Sequence, residues 1–477
     1  MKIISSFSST KFTILSFVLF VGIANILTGQ TLNLTLEQCR EKALAHNKML
    51  QVAHAQQESA ISTRKASFTQ FFPRINAIGS YTYIDKNIDY TMDLPIAELL
   101  QVLEISNPAI ITDPLYATLL GLQNQGYIPD KYSLSIGEAN NWIFDVTLTQ
   151  PIFTGGKIIN QYKISKAAEK ITDASLKKTG NELIYQTDEA YWRLVDISAK
   201  HALVKDYQAL VQILFSQVQN AYDAGVTTQN DLLKVQVKLN EAELMAFKAQ
   251  NGVRLATMAL NQIIGEPIES SLALPGTISE ISYVPYDSTQ VQEYIENRPE
   301  VLILKQELEI KQSLTKIAQS KYFPNIALQA SANYQNPNPY DSFEANFGHN
   351  WQVGVVAQWE IFDFKARKHT ISATKHQQQS TQLILEQSKE LFELEIKQAE
   401  LQYKEALKRI QLSEKSVAQA EENLRITQNR FDEGMCKSSD VLEAQLSWLN
   451  AKTELIEAQT EMYTKHANLD KALSLLY

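Results

Sequence analysis

Cysteine is almost absent: Cys39 and Cys436 are the two in 477 residues, too few for a disulfide framework. Basic residues are the minority charge, 44 against 53 acidic ones and −9 in all, and none gather into a long block, which argues against a nucleic-acid partner. Long apolar runs are missing beyond the first 30 residues. No helix can then cross a bilayer, and any part that enters a membrane must do so as β-strands closed into a barrel. Signatures of metal hydrolases are missing as well: there is no His-Glu-x-x-His and no Cys-x-x-Cys, and the seven His are scattered. His369 and His376 lie seven apart but lack Cys or Met partners, so polar contacts are preferred to metal binding. Thr154-Gly155-Gly156-Lys157 lacks the spacing of a phosphate-binding loop. The chain reads as a non-enzyme without a cofactor and without an energy source of its own.

What is present begins with a targeting segment. Lys2 and Lys11 precede an apolar run from Phe12 to Ala24 that ends in small residues at Thr28-Gly29, the pattern of a secretory signal peptide over 1–29. Leu27-Thr28-Gly29-Gln30 is similar to a lipoprotein box, yet Gln30 stands where an acylated cysteine is needed, so an unlipidated mature protein is expected.

A repeat sets the architecture. Gln219-Asn220-Ala221-Tyr222-Asp223-Ala224-Gly225, followed by Asp231-Leu232-Leu233, recurs as Gln428-Asn429-Arg430-Phe431-Asp432-Glu433-Gly434 with Asp440-Val441-Leu442, at an offset of 209. Trp142, Val146, Ile152 and Phe153 match Trp351, Val355, Ile361 and Phe362 at the same offset. Phe72-Pro73 and Tyr83 match Phe323-Pro324 and Tyr334 at 251, so the first copy carries 42 extra residues between Tyr83 and Trp142. The expected organisation is a first repeat over 30–264 (helix, two strands with a long loop 84–141, long helix, half helix), a linker over 265–290 and a second repeat over 291–477.

Alternation marks the strands. Trp142, Phe144, Val146 and Leu148 oppose Ile143, Asp145, Thr147 and Thr149, and the pattern returns from Ile326 to Tyr334 and from Trp351 to Ile361. Such strands suit a barrel wall with lipid on one side and a wet lumen on the other, with Trp142, Trp351 and Trp359 as membrane-interface aromatics. A soluble sandwich is the competing reading. Helical stretches of 67 residues, Gly156 to Tyr222 and Lys365 to Phe431, contain no proline and would each reach ~100 Å. In the first, Ala190, Ile197, Val204, Val211 and Val218 recur every seven residues while Leu203, Tyr207, Leu210 and Leu214 mark a second side, so two faces require neighbours. Half-length helices, Thr35 to Phe72 with Asp231 to Ile264 and Val291 to Phe323 with Asp440 to Leu476, would stack in pairs along each long one. Four strands cannot close a barrel, so the protomer must oligomerise to span lipid.

With Thr35-Leu36-Glu37-Gln38-Cys39, Ala43-Leu44, Asn47, both Phe-Pro junctions, Gln150-Pro151-Ile152-Phe153-Thr154-Gly155-Gly156 and both Gly-x5-Asp-(Leu/Val)-Leu turns, the whole mature chain resembles the outer-membrane efflux protein family, the TolC family. The resemblance implies a mainly α fold with a membrane β-barrel: a homotrimer with twelve strands, four per protomer, and a long periplasmic α-helical barrel. It implies a periplasmic adaptor that meets the tip turns, Gly225-Val226 and Gly434-Met435-Cys436, with Asp231 and Asp440 as first-turn acids behind them. Asp223, Asp432 and Glu433 beside those turns are candidate pore-constriction acids. The implied partners are that adaptor, an inner-membrane efflux pump or ABC transporter, and outer-membrane lipid. The reading is a passive exit duct in the outer membrane for small toxic compounds and drugs or for secreted polypeptides. Alternatives are a type I protein-secretion duct, a metal-cation efflux duct and, from another class, a secreted coiled-coil scaffold.

Overall fold

The computed structural model describes residues 32–85, 88–93, 96–128, 131–136, 139–273, 290–341 and 344–477. The expected signal segment and most of the expected linker lie outside the described residues. In the first half the elements are β1 (Leu32–Asn33), α1 (Leu36–His46), α2 (Lys48–Phe68), β2 (Arg74–Tyr83), β3 (Ile88–Asp93), α3 (Ile96–Ser106), α4 (Pro114–Asn124), β4 (Lys131–Ile136), β5 (Asn140–Phe153), α5 (Lys157–Asp223) and α6 (Gln229–Ile264). Then come β6 (Leu272–Ala273), α7 (Val291–Asn297), α8 (Pro299–Ser320), β7 (Asn325–Asn336), β8 (Gly348–Gln358), α9 (Ala366–Asp432) and α10 (Ser438–Ala472). Both long helices contain 67 residues, as the proline-free stretches require. The chain divides into two compact units, one of residues 65–163 and 312–375, the other of the remaining described residues.

The first unit holds a four-stranded antiparallel sheet in the order β2-β5-β7-β8. The strand expected from Trp351 to Ile361 stops at Gln358, whose partner Asn325 is the first residue of β7. Pro324 precedes Asn325 and has no N–H to continue the ladder, so Trp359 and Ile361 leave the sheet. The 84–141 connection carries structure that the repeat offsets do not disclose: β3 pairs with β4, and α3 and α4 lie between them. Helix α4 starts where Asp113 accepts the Leu115 N–H (2.8 Å) and Pro114 presets the first turn.

The second unit is helical. Leu34, Cys39, Ala43, Leu50 and Ala53 pack with Leu176, Leu183, Tyr191 and Leu194 of α5 and with Leu260 and Ile264 of α6. The second copy repeats this with Ile295 and Val301 against Ile396, Ala399 and Tyr403 of α9 and Tyr463 and Leu469 of α10. Further along α5, Leu203, Tyr207 and Val211 meet Leu239 and Ala242 of α6 and Leu449 of α10. Half helices thus follow one another along each long helix. Two of them are also broken in mid-course. Asn47 ends α1 in extended backbone, then accepts the Met49 N–H (2.8 Å) to start α2. Arg298 is extended because Pro299 follows it, which separates α7 from α8. Its buried guanidinium lies 4.0 Å from the Phe392 ring centre and donates to Glu395 (2.9 Å) and the Ala472 carbonyl (3.2 Å). Trp192 of α5 stacks on Tyr463 of α10 at 3.8 Å, joining the two copies.

On α10, His466 Nδ1 sits 3.2 Å from Asp470, whose hydrogen bond raises the imidazole above its ordinary 6.5 despite partial burial. A folded-state value above the unfolded one contributes stability that is complete below the unfolded pKa and lost as pH rises through the folded one. The thermal midpoint in detergent is therefore expected to fall between about pH 6 and pH 8 more steeply in the unaltered protein than in His466→Gln. Parallel pH profiles for the two would remove this pair from the stability account.

Candidate conduit wall and docking tip

Register sorts the sheet into two chemically distinct faces. Tyr81 and Ile75 of β2, Trp142, Phe144, Val146 and Leu148 of β5, Leu328, Ala330, Ala332 and Tyr334 of β7, and Trp351, Val353 and Val355 of β8 share one side. The other side carries Asn76 and Ser80, Asp145, Thr147 and Thr149, Gln329, Ser331 and Asn333, and Gln352 and Gln358, interrupted by Ile78, Ile143 and Val356. The apolar side is open: Trp351 is 74% exposed, Val353 60% and Val355 65%. Tyr81 and Trp142 stack at 4.5 Å near one end of the strands. β2 and β8 each pair on one side within this sheet, so both outer edges retain unmatched N–H and C=O groups. An apolar wall with two open edges is stable in lipid only when other strands close it.

The helical unit poses the same demand. Leu233, Val237, Leu244 and Leu255 on α6, and Leu391, Leu394, Leu401 and Leu412 on α9, are all more than half exposed except Leu233, at 50%. Stripes of this kind on helices already packed along another face mark a contact with further chains.

Two turns join the long helices to the helices that follow. In the first, the Gly225 N–H donates to Tyr222 O and the Val226 N–H to Ala221 O, both at 2.8 Å. In the second, the Gly434 N–H donates to Phe431 O (2.9 Å) and the Met435 N–H to Arg430 O (2.8 Å). Each is a helix C-terminus closed by a left-handed glycine, with φ of +72° and +75°. The residue after each glycine is apolar and projects: Val226 is 81% exposed and Met435 64%. The next helices start on acids. Asp231 answers the Thr228 cap, its N–H donating to Thr228 Oγ1 (3.3 Å), and Asp440 accepts the Lys437 N–H (3.1 Å). The Thr228 hydroxyl, with Lys234 and Lys437 nearby, holds the Asp231 carboxyl below the usual carboxylate range. Beneath the turns, Leu214, Val218, Leu232, Val235 and Val441 form one core with Phe431 and Cys436, so the two hairpins are a single tip.

A family model for the outer membrane efflux protein matches residues 39–266 and 290–474. The chain belongs to the outer membrane efflux protein family. The alkaline protease secretion protein AprF of Pseudomonas aeruginosa is 20% identical over 337 residues, 69% of each chain. The probable efflux pump outer membrane protein TtgC of Pseudomonas putida is 20% identical over 317 residues, 66% of this chain and 63% of its own length. Among solved structures, CusC superposes with a TM-score of 0.74 at 14% identity over 93% of this chain and 92% of its own. The open-state outer membrane channel MtrE of Neisseria gonorrhoeae gives 0.70 at 17% identity over 92% and 88%. Membership makes this chain an outer-membrane component of an export system, with the trimeric twelve-stranded barrel and periplasmic helical barrel of the family fold.

The structure brings Gly225, Val226, Gly434 and Met435 together with Asp231 and Asp440 at the tip. Cys436 is turned inward: its Sγ lies 3.5 Å from the Thr427 carbonyl, and burial pushes the thiol pKa up. Asp223 accepts from Gln219 (3.0 Å), and Asp432 from Gln428 (3.1 Å) and, across the tip, Gln217 (3.4 Å). Glu433 is exposed beside them. Trp142 and Trp351 are exposed on the apolar sheet face, whereas Trp359, beyond the strand, donates its indole N–H to the Tyr322 carbonyl (3.2 Å). A groove of about 680 Å³, absent from the expectations above, is lined by Leu233, Val237, Leu442 and Leu446 with Lys234 and Glu443. The four-residue spacings of Leu233 with Val237 and Leu442 with Leu446 were the available signal. Phe362, which the repeat matches to Phe153, and Phe364 are 70% and 88% exposed with ring centres 4.7 Å apart, an aromatic pair just after β8 in the chain.

Proposed function

We propose that the protein is a passive exit duct, trimeric in the outer membrane, through which an inner-membrane pump drives cargo by way of a periplasmic adaptor seated on the tip turns. The observation that carries the reading is the four-stranded wall, apolar on one side and polar on the other, with both edges open for neighbouring protomers. Closure by three protomers gives every edge a partner and leaves Asp145, Gln329, Asn333 and Gln352 facing water in the lumen. Such a wall supplies no driving force, so the energy comes from the partner pump.

The cargo is small toxic compounds or secreted polypeptides. Secretion of polypeptides is favoured by the likeness to a protease secretion protein, and efflux of small compounds by the likeness to an efflux pump component, each at 20% identity. A duct selects little among cargoes that pass its narrowest point. Asp223, Asp432 and Glu433 are proposed as the acids that set this point, since three copies of each around an axis would concentrate negative potential and attract cations.

Docking is assigned to Val226 and Met435, flanked by Gly225 and Gly434, with Asp231 and Asp440 ordering the helices behind them. Both apolar side chains project from turns whose backbone is already satisfied, so an approaching helical hairpin covers them without breaking a hydrogen bond. Val226→Asp combined with Met435→Asp is expected to lower export at least tenfold, the factor that ~1.4 kcal/mol of lost binding produces. Trimer mass and thermal midpoint should not change, because neither side chain is buried. Full export by this variant would place the adaptor elsewhere.

A further inference from the structure

The insertion between β2 and β5 is the part of the first unit that the duct does not require. Strand β2 follows α2 and β5 leads into α5, so the insertion lies at the opposite end of these strands from the helices. In a duct whose helices stand in the periplasm, that end is the outer mouth. Helices α3 and α4 are joined there by a short helical turn at Pro108–Thr112 and touch each other, and Leu100 of α3 and Tyr116 of α4 are buried. The Tyr116 hydroxyl donates to Glu104 (3.2 Å).

Much of the remaining surface of this helical pair is apolar. Leu99, Val102 and Ile105 on α3 are 55%, 61% and 74% exposed, and Leu115 on α4 is 67% exposed, with Ile111 and Tyr127 beside them. Helices apolar on more than one side belong in an interior. Three observations single out what covers them. First, residues 87–130 contain six acids and no Lys, Arg or His. A helix that lies on a lipid surface carries basic residues on its polar face, so the outer leaflet is a poor match. Second, the insertion grows from β2, an edge strand of the sheet and therefore a strand at the joint between protomers. Third, the dimensions fit. Twelve strands spaced about 4.8 Å and tilted about 40° enclose a barrel of roughly 12 Å backbone radius. A helix of 11 residues extends ~16 Å, enough to reach the axis from the rim.

We infer that the three insertions of a trimer pack their α3 and α4 faces against one another across the threefold axis and cap the outer mouth of the barrel. The local uses of the acids agree with such packing: Glu104 accepts from Tyr116, Asp113 caps α4 and Asp93 pairs with Lys131 at 3.5 Å, so three carboxylates that would otherwise repel across an axis are engaged. The exposed apolar side chains supply the contact. A mouth closed by a few leucines and isoleucines per protomer opens when cargo is pushed from below, and closes without a ligand.

The inference rests on the trimeric duct reading, and the experiment keeps the two separate. Purified full-length protein would be reconstituted in planar bilayers beside Val102→Glu/Ile105→Glu, whose exposed positions leave folding of the protomer undisturbed. The double variant is expected to conduct several-fold more than the unaltered trimer. In parallel, Ile105→Cys treated with a mild oxidant is expected to yield disulfide-linked dimers of protomers that the unaltered protein does not form. Equal conductance together with an unlinked Ile105→Cys overturns the cap. Labelling of Ile105→Cys by a reagent dissolved in the lipid phase would overturn it in favour of the outer leaflet. Should neither protein conduct, the duct reading falls, and the cross-link alone decides whether the insertions meet.

Discussion

Trimers carrying Val353→Lys are expected not to survive extraction from the outer membrane, whereas Gln352→Lys trimers, altered one residue away, should behave as the unaltered protein does. Val353 sits mid-strand on β8 opposite Ala330, in the apolar face and 60% exposed, and Gln352 faces Ser331 on the polar side. A lysine at the bilayer midplane of a barrel wall costs about 2–4 kcal/mol, and three-fold symmetry installs it three times per assembly, roughly 6–12 kcal/mol in total. The same charge in a watery lumen costs close to nothing. Heat-resistant trimers on gels, scored for both variants, provide the measurement. Equal loss in the two would mean that the register does not separate lipid from lumen, and equal survival would leave the sheet outside the membrane.

Loss of Arg40 is expected to have the second-largest effect. Its guanidinium donates to both oxygens of Asp188, Nε to Oδ1 at 2.7 Å and Nη2 to Oδ2 at 2.6 Å, and the Asp188 side chain is 1% exposed. Burial raises the Asp188 pKa above its ordinary 3.8 and Arg40 pulls it back, so the ionised carboxylate depends on this one partner. Arg40→Ala removes that pull and leaves a buried charge, a change that costs about 3–5 kcal/mol. The sign of its pH dependence follows. An acid whose folded pKa is raised binds its proton more tightly when folded, so its contribution is favourable near and below the unfolded value and is lost as pH rises. The deficit of Arg40→Ala should be greatest near neutrality and narrow as the pH falls toward about 4. Adding Asp188→Asn, which removes the charge, should recover part of the loss at neutral pH. Thermal midpoints by circular dichroism at two pH values report both, and a deficit independent of pH and of Asp188→Asn would mean that only the packing of Arg40 matters.

Neither the Arg40–Asp188 pair nor the Arg298 hub has a signature in the chain. Arg40 and Asp188 are 148 positions apart, and Arg298 and Ala472 174 apart, with nothing periodic to link them. The 84–141 insertion was legible as extra length from the jump between offsets, yet its helices were not, since the second copy holds no counterpart to compare. The β8 terminus was misplaced because alternation continues through Trp359 and Ile361, and alternation describes side chains, whereas a strand ends where its partner runs out of donors at Pro324. The tip turns were the reverse case. A glycine after a helical run, followed six residues on by an acid before apolar periodicity resumes, encodes a left-handed stop and a new helix start, and both copies adopt it. The buried stripe on the last third of α5 lies between these cases: over 201–223 the buried residues are Leu203, Tyr207, Val211, Leu214 and Val218, drawn from both of the stripes that the seven-residue spacing separates.

By itself the sequence determined what is local and periodic: two copies of one unit, 67-residue helices free of proline, strands with one apolar side, and the glycine turns. These follow from backbone preferences and from the repeat of side-chain direction, which act over a few residues whatever the rest of the chain does. Tertiary structure decided which residues of the two copies touch: the β5–β7 pairing that fuses both hairpins into one wall, the open edges of β2 and β8, the joint core of the tip, and the ion pairs that hold half helices to long ones. Contacts of that kind depend on register and on burial shared between distant segments, and these exist only once the chain has closed on itself.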